Sequence, residues 1–109
     1  MKEIKAFIRP NKVYDIVRKL KEAGYENITI SEAEGTGKFQ DNEAFVSLMY
    51  SFTDSKIAKL EIVVKKKEVE AVVSIVSEYG KTHNPGDGII YVSDVEKAYR
   101  VKTGLKNGF

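Results

Sequence analysis

IKAFIRPNKVYDIVRKLKEAG, residues Ile4 to Gly24, decides the fold, because LEIVVKKKEVEAVVSIVSEYG, Leu60 to Gly80, repeats its pattern. In the first copy Ile4, Ala6 and Ile8 alternate, the mark of a strand with one buried side. Pro10 ends that strand, and Asn11 is placed to cap a helix by accepting a backbone N–H. Val13, Ile16, Val17 and Leu20 then fall at helical spacing and form one apolar stripe. Gly24 suits the left-handed position that closes a helix. In the second copy Leu60, Ile62 and Val64 stand where Ile4, Ala6 and Ile8 stood. Val69, Val72, Val73 and Val76 repeat the stripe, and Gly80 falls where Gly24 does. Register held over so many positions marks an internal repeat.

Each half runs on into another strand, Ile28 to Ala33 in the first and Ile89 to Ser93 in the second. Two β-α-β halves predict an α+β fold, the ferredoxin-like βαββαβ arrangement, with both helices on one face of a four-stranded antiparallel sheet. The other face needs cover. Phe7 and Ile30 are candidates for it, and a homo-oligomer would supply the rest.

The remaining composition narrows the function classes. The chain has 109 residues, enough for the single domain 1–109, and is 42% apolar and 31% charged, as folded proteins are. It has no cysteine and a single histidine, His83, which excludes a disulfide framework and argues against a metal centre. Net charge is +2, too balanced to indicate nucleic-acid binding. The start, MKEIKAFIRP, has no long apolar run, so a cytoplasmic protein without leader or membrane span is expected.

Two irregular stretches carry candidate chemistry. Gly35 to Lys56 joins the halves and exceeds the usual connection. Phe45, Val46, Leu48, Met49, Tyr50 and Phe52 make it apolar, as in a ribbon that packs within an oligomer or docks on a partner. At its base stands Gly35-Thr36-Gly37-Lys38. Its glycines let backbone amides approach an anion, although the spacing of a P-loop and its Ser or Thr are missing. The second stretch is Gly86-Asp87-Gly88, which reads as a tight turn on its own. Arg100 and Lys102 follow and, on an extended chain, point to the same side. Both turns and both cations lie near strand ends, so they could converge on a polyphosphate within one subunit or across an interface.

These pieces together resemble the PII signal-transduction proteins over nearly the whole chain. The resemblance rests on Ile8-Arg9-Pro10 with Lys12, Gly24, Thr29, Gly35-x-Gly37, Lys59-x-Glu61-Ile62-Val63-Val64, Gly86-Asp87-Gly88, Asp94-Val95 and Arg100-x-Lys102-Thr103-Gly104. It implies a homotrimer that binds adenine nucleotide (ATP, ADP or AMP, with Mg) in clefts between subunits. It also implies a T-loop, about 38–56, that engages a target enzyme or transporter, commonly in nitrogen metabolism, with no turnover of its own. Gly35, Thr36, Gly37, Lys38, Gly86, Asp87 and Gly88 would hold phosphates. Arg100 and Lys102 would reach them from the neighbouring subunit, and Thr29, Glu61 and Val63 would lie near the adenosine.

Several positions depart from the family pattern. Ile89 stands where the family has a phosphate-contacting lysine, which predicts weakened ATP binding and a shift toward ADP or AMP. Phe39 follows Lys38 where a glutamine is expected, with Gln40 one place late. Ile57, next to Lys56, falls where a lysine pairs with the 2-oxoglutarate carboxylate. These changes predict no 2-oxoglutarate site. Tyr50 matches the modified T-loop tyrosine of some members only after a slip. A divergent trimer answering to bicarbonate or a cyclic nucleotide, or linked to metal tolerance or transport, is the alternative.

Overall fold

The computed structural model describes residues 1–35 and 56–104. Four strands, β1 (Lys2–Ile8), β2 (Thr29–Glu34), β3 (Lys56–Val64) and β4 (Gly88–Asp94), form one antiparallel sheet in the order β2-β3-β1-β4. Two helices, α1 (Val13–Glu22) and α2 (Val69–Gly80), follow β1 and β3. The expected βαββαβ architecture is thus present, with strand bounds shifted by a residue or a few. β3 begins at Lys56, four residues before the repeat becomes visible at Leu60.

The repeat holds in three dimensions. Ile4, Ala6 and Ile8 are buried on β1, and Leu60, Ile62 and Val64 on β3. Ile16 and Leu20 of α1 are buried, as are their counterparts Val72 and Val76 of α2, and all belong to one core. Val13, Val17 and Val69 pack at its margin. Each large aliphatic side chain buried in this way stabilises the fold by ~1.5–3 kcal/mol. A 3-10 turn precedes each helix, at Pro10–Lys12 and Lys66–Glu68.

The two halves differ in their helix ends. Asn11 lies inside the first 3-10 turn and caps nothing; Arg9 occupies the cap position and no side chain bonds there. Pro10 sets this geometry, since its fixed φ suits the first position of a helical turn and moves the cap two places earlier, from Asn11 to Arg9. In the second half Glu68, at the place of Lys12, accepts a bond from the Lys65 N–H at 3.2 Å. α1 closes as expected on Gly24, at φ +97°. Gly24 N–H donates to the Lys21 carbonyl and Tyr25 N–H to that of Leu20, a Schellman motif. Gly80 has a different role. It is the buried last residue of α2, and a Cβ there would stand 3.2 Å from Ile16 Cδ1. Its smallness lets α2 pack against α1.

Register assigns the sheet faces. Ile4, Ala6 and Ile8 lie opposite Ile62, Leu60 and Ala58 on the helix side. Ile30 pairs with Leu60, so it too faces the helices, at the outer edge, and does not belong to the open face as expected. The open face carries Phe7, Ile89 and Tyr91, with Phe7 and Tyr91 edge-to-face at 6.2 Å. Ile89 and Tyr91 are exposed, so this face carries an apolar patch that is uncovered in a single chain, beside the charged Lys5, Lys59 and Glu61 of the same face.

Candidate functional site

The loop from Thr82 to Gly88 is built around one carboxylate. Asp87 accepts hydrogen bonds from the Thr82 N–H at 2.7 Å, the Thr82 hydroxyl at 2.7 Å and Arg9 Nε at 3.0 Å. Arg9 also donates to the Pro85 carbonyl at 2.7 Å. Burial works against ionisation of Asp87, but the Thr82 and Arg9 bonds outweigh it and hold its pKa below the ordinary value. Asp87 therefore fastens the turn to the end of β1, which is a structural use of that residue. Neither Arg9 nor Thr82 was identifiable as its partner from the sequence, because nothing in the local pattern links Arg9 to a residue 78 positions away.

Backbone geometry accounts for the glycines of the turn. Gly86 and Gly88 have φ of +91° and +109°. A Cβ on Gly88 would stand 1.7 Å from the Phe7 carbonyl oxygen. Immediately beyond the turn, Gly88 and Ile89 line a cavity of ≈ 320 Å³ with Phe7, Ile8, Val76 and Ile90.

A second concavity, ≈ 510 Å³, gathers four of the residues singled out in the sequence: Thr29, Glu61, Val63 and Arg100. Thr29 and Glu61 are direct cross-strand partners. Glu3, Asn27, Ile62 and Ala98 complete the wall, and no sequence motif pointed to Glu3, Asn27 or Ala98. Glu61 also lies 3.7 Å from Lys59 Nζ.

These two concavities lie at opposite ends of the sheet. Gly88 pairs with Ile8, whereas Val63 pairs with Glu3. Five residues of β1 separate those levels, about 17 Å at ~3.3 Å per residue. Gly35 follows β2 at the Gly88 end, but β2 and β4 are opposite edges of the sheet. One chain thus brings Thr29, Glu61, Val63 and Arg100 together and keeps them apart from Gly86–Gly88. The chain is not extended at Arg100 and Lys102. Residues 101–103 form a turn closed by the Gly104 N–H on the Arg100 carbonyl at 2.8 Å, so strand alternation does not set the direction of these two side chains. Gly104, at φ +66°, makes that turn possible. Thr36, Gly37, Lys38 and Tyr50 lie outside the described residues.

Comparison with known proteins matches residues 1–105 to the model of the family described as nitrogen regulatory protein P-II. The chain is 35% identical over 108 residues to the nitrogen regulatory protein P-II of Microchaete diplosiphon, covering 98% of this chain and 96% of the relative. It is 34% identical over 105 residues to that of Rhizobium meliloti, covering 95% and 94%. It is also 34% identical to nitrogen regulatory protein P-II 2 of Methanothermobacter thermautotrophicus, covering 95% and 91%. The chain belongs to the P-II family.

As a P-II protein it is a signalling regulator by family, with the ferredoxin-like fold described above. Its departures from the P-II pattern have a definite placement. Ile89 is exposed on the open face beside Phe7 and brings no charge to the turn. Lys56 and Ile57 are successive residues of β3 and face opposite sides of the sheet, so a one-residue slip would turn the lysine away from the position of Ile57. Among the described residues no group of three or more His, Cys, Asp or Glu could hold a metal ion, and no helix is long and apolar enough to cross a membrane.

Proposed function

We propose that this P-II protein binds adenine nucleotide in clefts shared between neighbouring subunits of a trimer and regulates a target protein through residues 38–56. The observation that carries this reading is the division of the site across the sheet. Along β1 the groove starts three residues from the Gly88 level, at the Lys5–Glu61 pair, and reaches five, at the Glu3–Val63 pair, about 10–17 Å at ~3.3 Å per residue in one chain. A cleft between two copies would bring the groove of one and the turn of the other onto the same ligand. The uncovered apolar patch of Phe7, Ile89 and Tyr91 supplies a reason for copies to associate.

In the assembled cleft the groove of one protomer takes the adenosine, and its Arg100 and Lys102 neutralise phosphate charge. The turn of the neighbour offers backbone N–H groups to the same phosphates. Asp87 does not contact the ligand, because Thr82 and Arg9 already occupy its oxygens. Mg²⁺, when present, accompanies the nucleotide. The residues act by binding and not by turnover, and the ligand changes what the 38–56 segment can dock against.

Ile89 bears on the choice of ligand. An apolar side chain beside the turn cannot offset the charge of a third phosphate, which favours ADP or AMP over ATP. It also keeps a second reading in view, that the effector is a singly charged or cyclic phosphate ligand. Isothermal titration with ATP, ADP, AMP and cyclic AMP, with and without Mg²⁺ and 2-oxoglutarate, tests both readings. Saturable adenine-nucleotide binding unaffected by 2-oxoglutarate supports the proposal. The absence of binding by all four refutes it.

A further inference from the structure

A groove of ≈ 620 Å³ outside both concavities is lined by Lys12, Glu78, Lys81, Thr82, His83 and Asn84. It lies between the 3-10 turn that opens α1, the last turn of α2 and the start of the 82–88 loop. We propose that this groove is an anion site for a phosphate-sized dianionic group, separate from the nucleotide cleft.

Uncompensated charge in a fixed frame marks this groove. Lys12 is half-buried, yet among the described residues neither Lys12 nor Lys81 makes an ion pair. An ammonium that has no carboxylate partner, on the wall of a concavity, is free to pair with an anion. Of the charged groups facing the groove, Lys12 comes from the turn before α1, Glu78 and Lys81 from the end of α2, and His83 from the loop. Two ammonium groups face one carboxylate. The loop's own acid, Asp87, does not alter this balance, because Thr82 and Arg9 fill its oxygens. The same bonds hold the loop in place, and the Asn84 N–H on Thr82 Oγ1 at 3.1 Å fixes its first turn. The lining side chains that can donate are those of Lys12, Lys81, His83 and Asn84. A compact tetrahedral anion can accept from donors supplied by several elements at once, whereas a flat monocarboxylate would use fewer of them.

His83 is the single histidine and so gives an unambiguous reporter. The experiment follows its ring proton resonances by NMR as inorganic phosphate is added to the full chain, against potassium chloride at matched ionic strength. The expected result is a saturable shift that chloride does not produce. It is weakened roughly tenfold or more in the Lys12→Gln/Lys81→Gln double variant and retained in Arg100→Ala. Lys81→Gln alone, at an exposed position, replaces the double variant if that one fails to fold, and the same weakening in direction is expected. A shift no larger than that of chloride, a non-saturating response, or equal binding by the lysine variants would overturn the proposal. So would loss of the shift in Arg100→Ala alone, which would place the phosphate in the nucleotide cleft.

Discussion

Substituting Gly88 by alanine separates two reasons for a glycine, and the structure supplies a matched control. Gly24 and Gly88 have similar φ, +97° and +109°. A Cβ on Gly24 would meet nothing within 4 Å, whereas on Gly88 it would lie 1.7 Å from the Phe7 carbonyl oxygen and 2.8 Å from its carbon. Gly24→Ala therefore carries only the conformational cost of a left-handed residue, about 1–2 kcal/mol. Gly88→Ala carries the same cost and must also push β4 away from β1. That movement disrupts one or two ladder hydrogen bonds near the Ile8–Gly88 pair, at ~0.5–1.5 kcal/mol each, and loosens Ile90 against the core. The total is about 1.5–5 kcal/mol, so Gly88→Ala should be the more destabilising of the two by roughly 0.5–3 kcal/mol. Urea unfolding at fixed protein concentration measures both. Equal destabilisation by the two substitutions would refute the account of the turn as a close approach of two strands.

Three further outcomes follow from named contacts. Because the folded-state pKa of Asp87 is depressed, its bonds contribute stability above the unfolded value, about 3.9, and lose it as pH falls through the lower folded value. Asp87→Asn should thus be less stable than the parent at neutral pH, with the gap closing in acid below about pH 4; a gap independent of pH would contradict this. Ile89→Lys adds a charge-assisted contact to phosphate and should tighten ATP binding about ten- to a hundredfold, more than it tightens AMP, by isothermal titration; an unchanged ranking of ATP against AMP would count against the role of Ile89. Tyr91→Glu puts a charge on the open face and should lower the oligomer mass seen by light scattering, whereas an unchanged mass would show that this face is not the contact.

The fold was legible because the repeat is written in burial. Ile16 and Leu20, then Val72 and Val76, take the same places in one core, and alternation on β1 and β3 marks the same face. The expectations that failed were those decided by a neighbour's exact position. Asn11 looked like a cap, but Pro10 drew the chain into a 3-10 turn two residues early, with Arg9 at the cap. Gly80 looked like a helix terminator, while its real constraint is Ile16 across the helix pair. Ile30 looked free to cover the open face until the pairing with Leu60 fixed its side. At the site, the grouping of Thr29, Glu61 and Val63 was legible through family resemblance. The turn at 101–103 was not, because two cations at alternate positions say nothing about backbone direction without a strand to hold them.

Mixing two defective variants tests the shared cleft most directly. Ile89→Asp places a negative charge beside the turn, and Arg100→Ala/Lys102→Ala removes the cations at the other end. Each variant alone, shown by native mass spectrometry to be trimeric because Ile89 also lies on the association face, should bind adenine nucleotide weakly. When the two are co-expressed in equal amounts, every mixed trimer contains one cleft with an intact turn from one subunit and intact cations from its neighbour. Random assembly then restores about a quarter of all clefts, read as the stoichiometry of tight nucleotide binding by titration. Recovery near that fraction is the predicted result. No recovery, with mixed trimers verified by native mass spectrometry, would contradict a site divided between subunits.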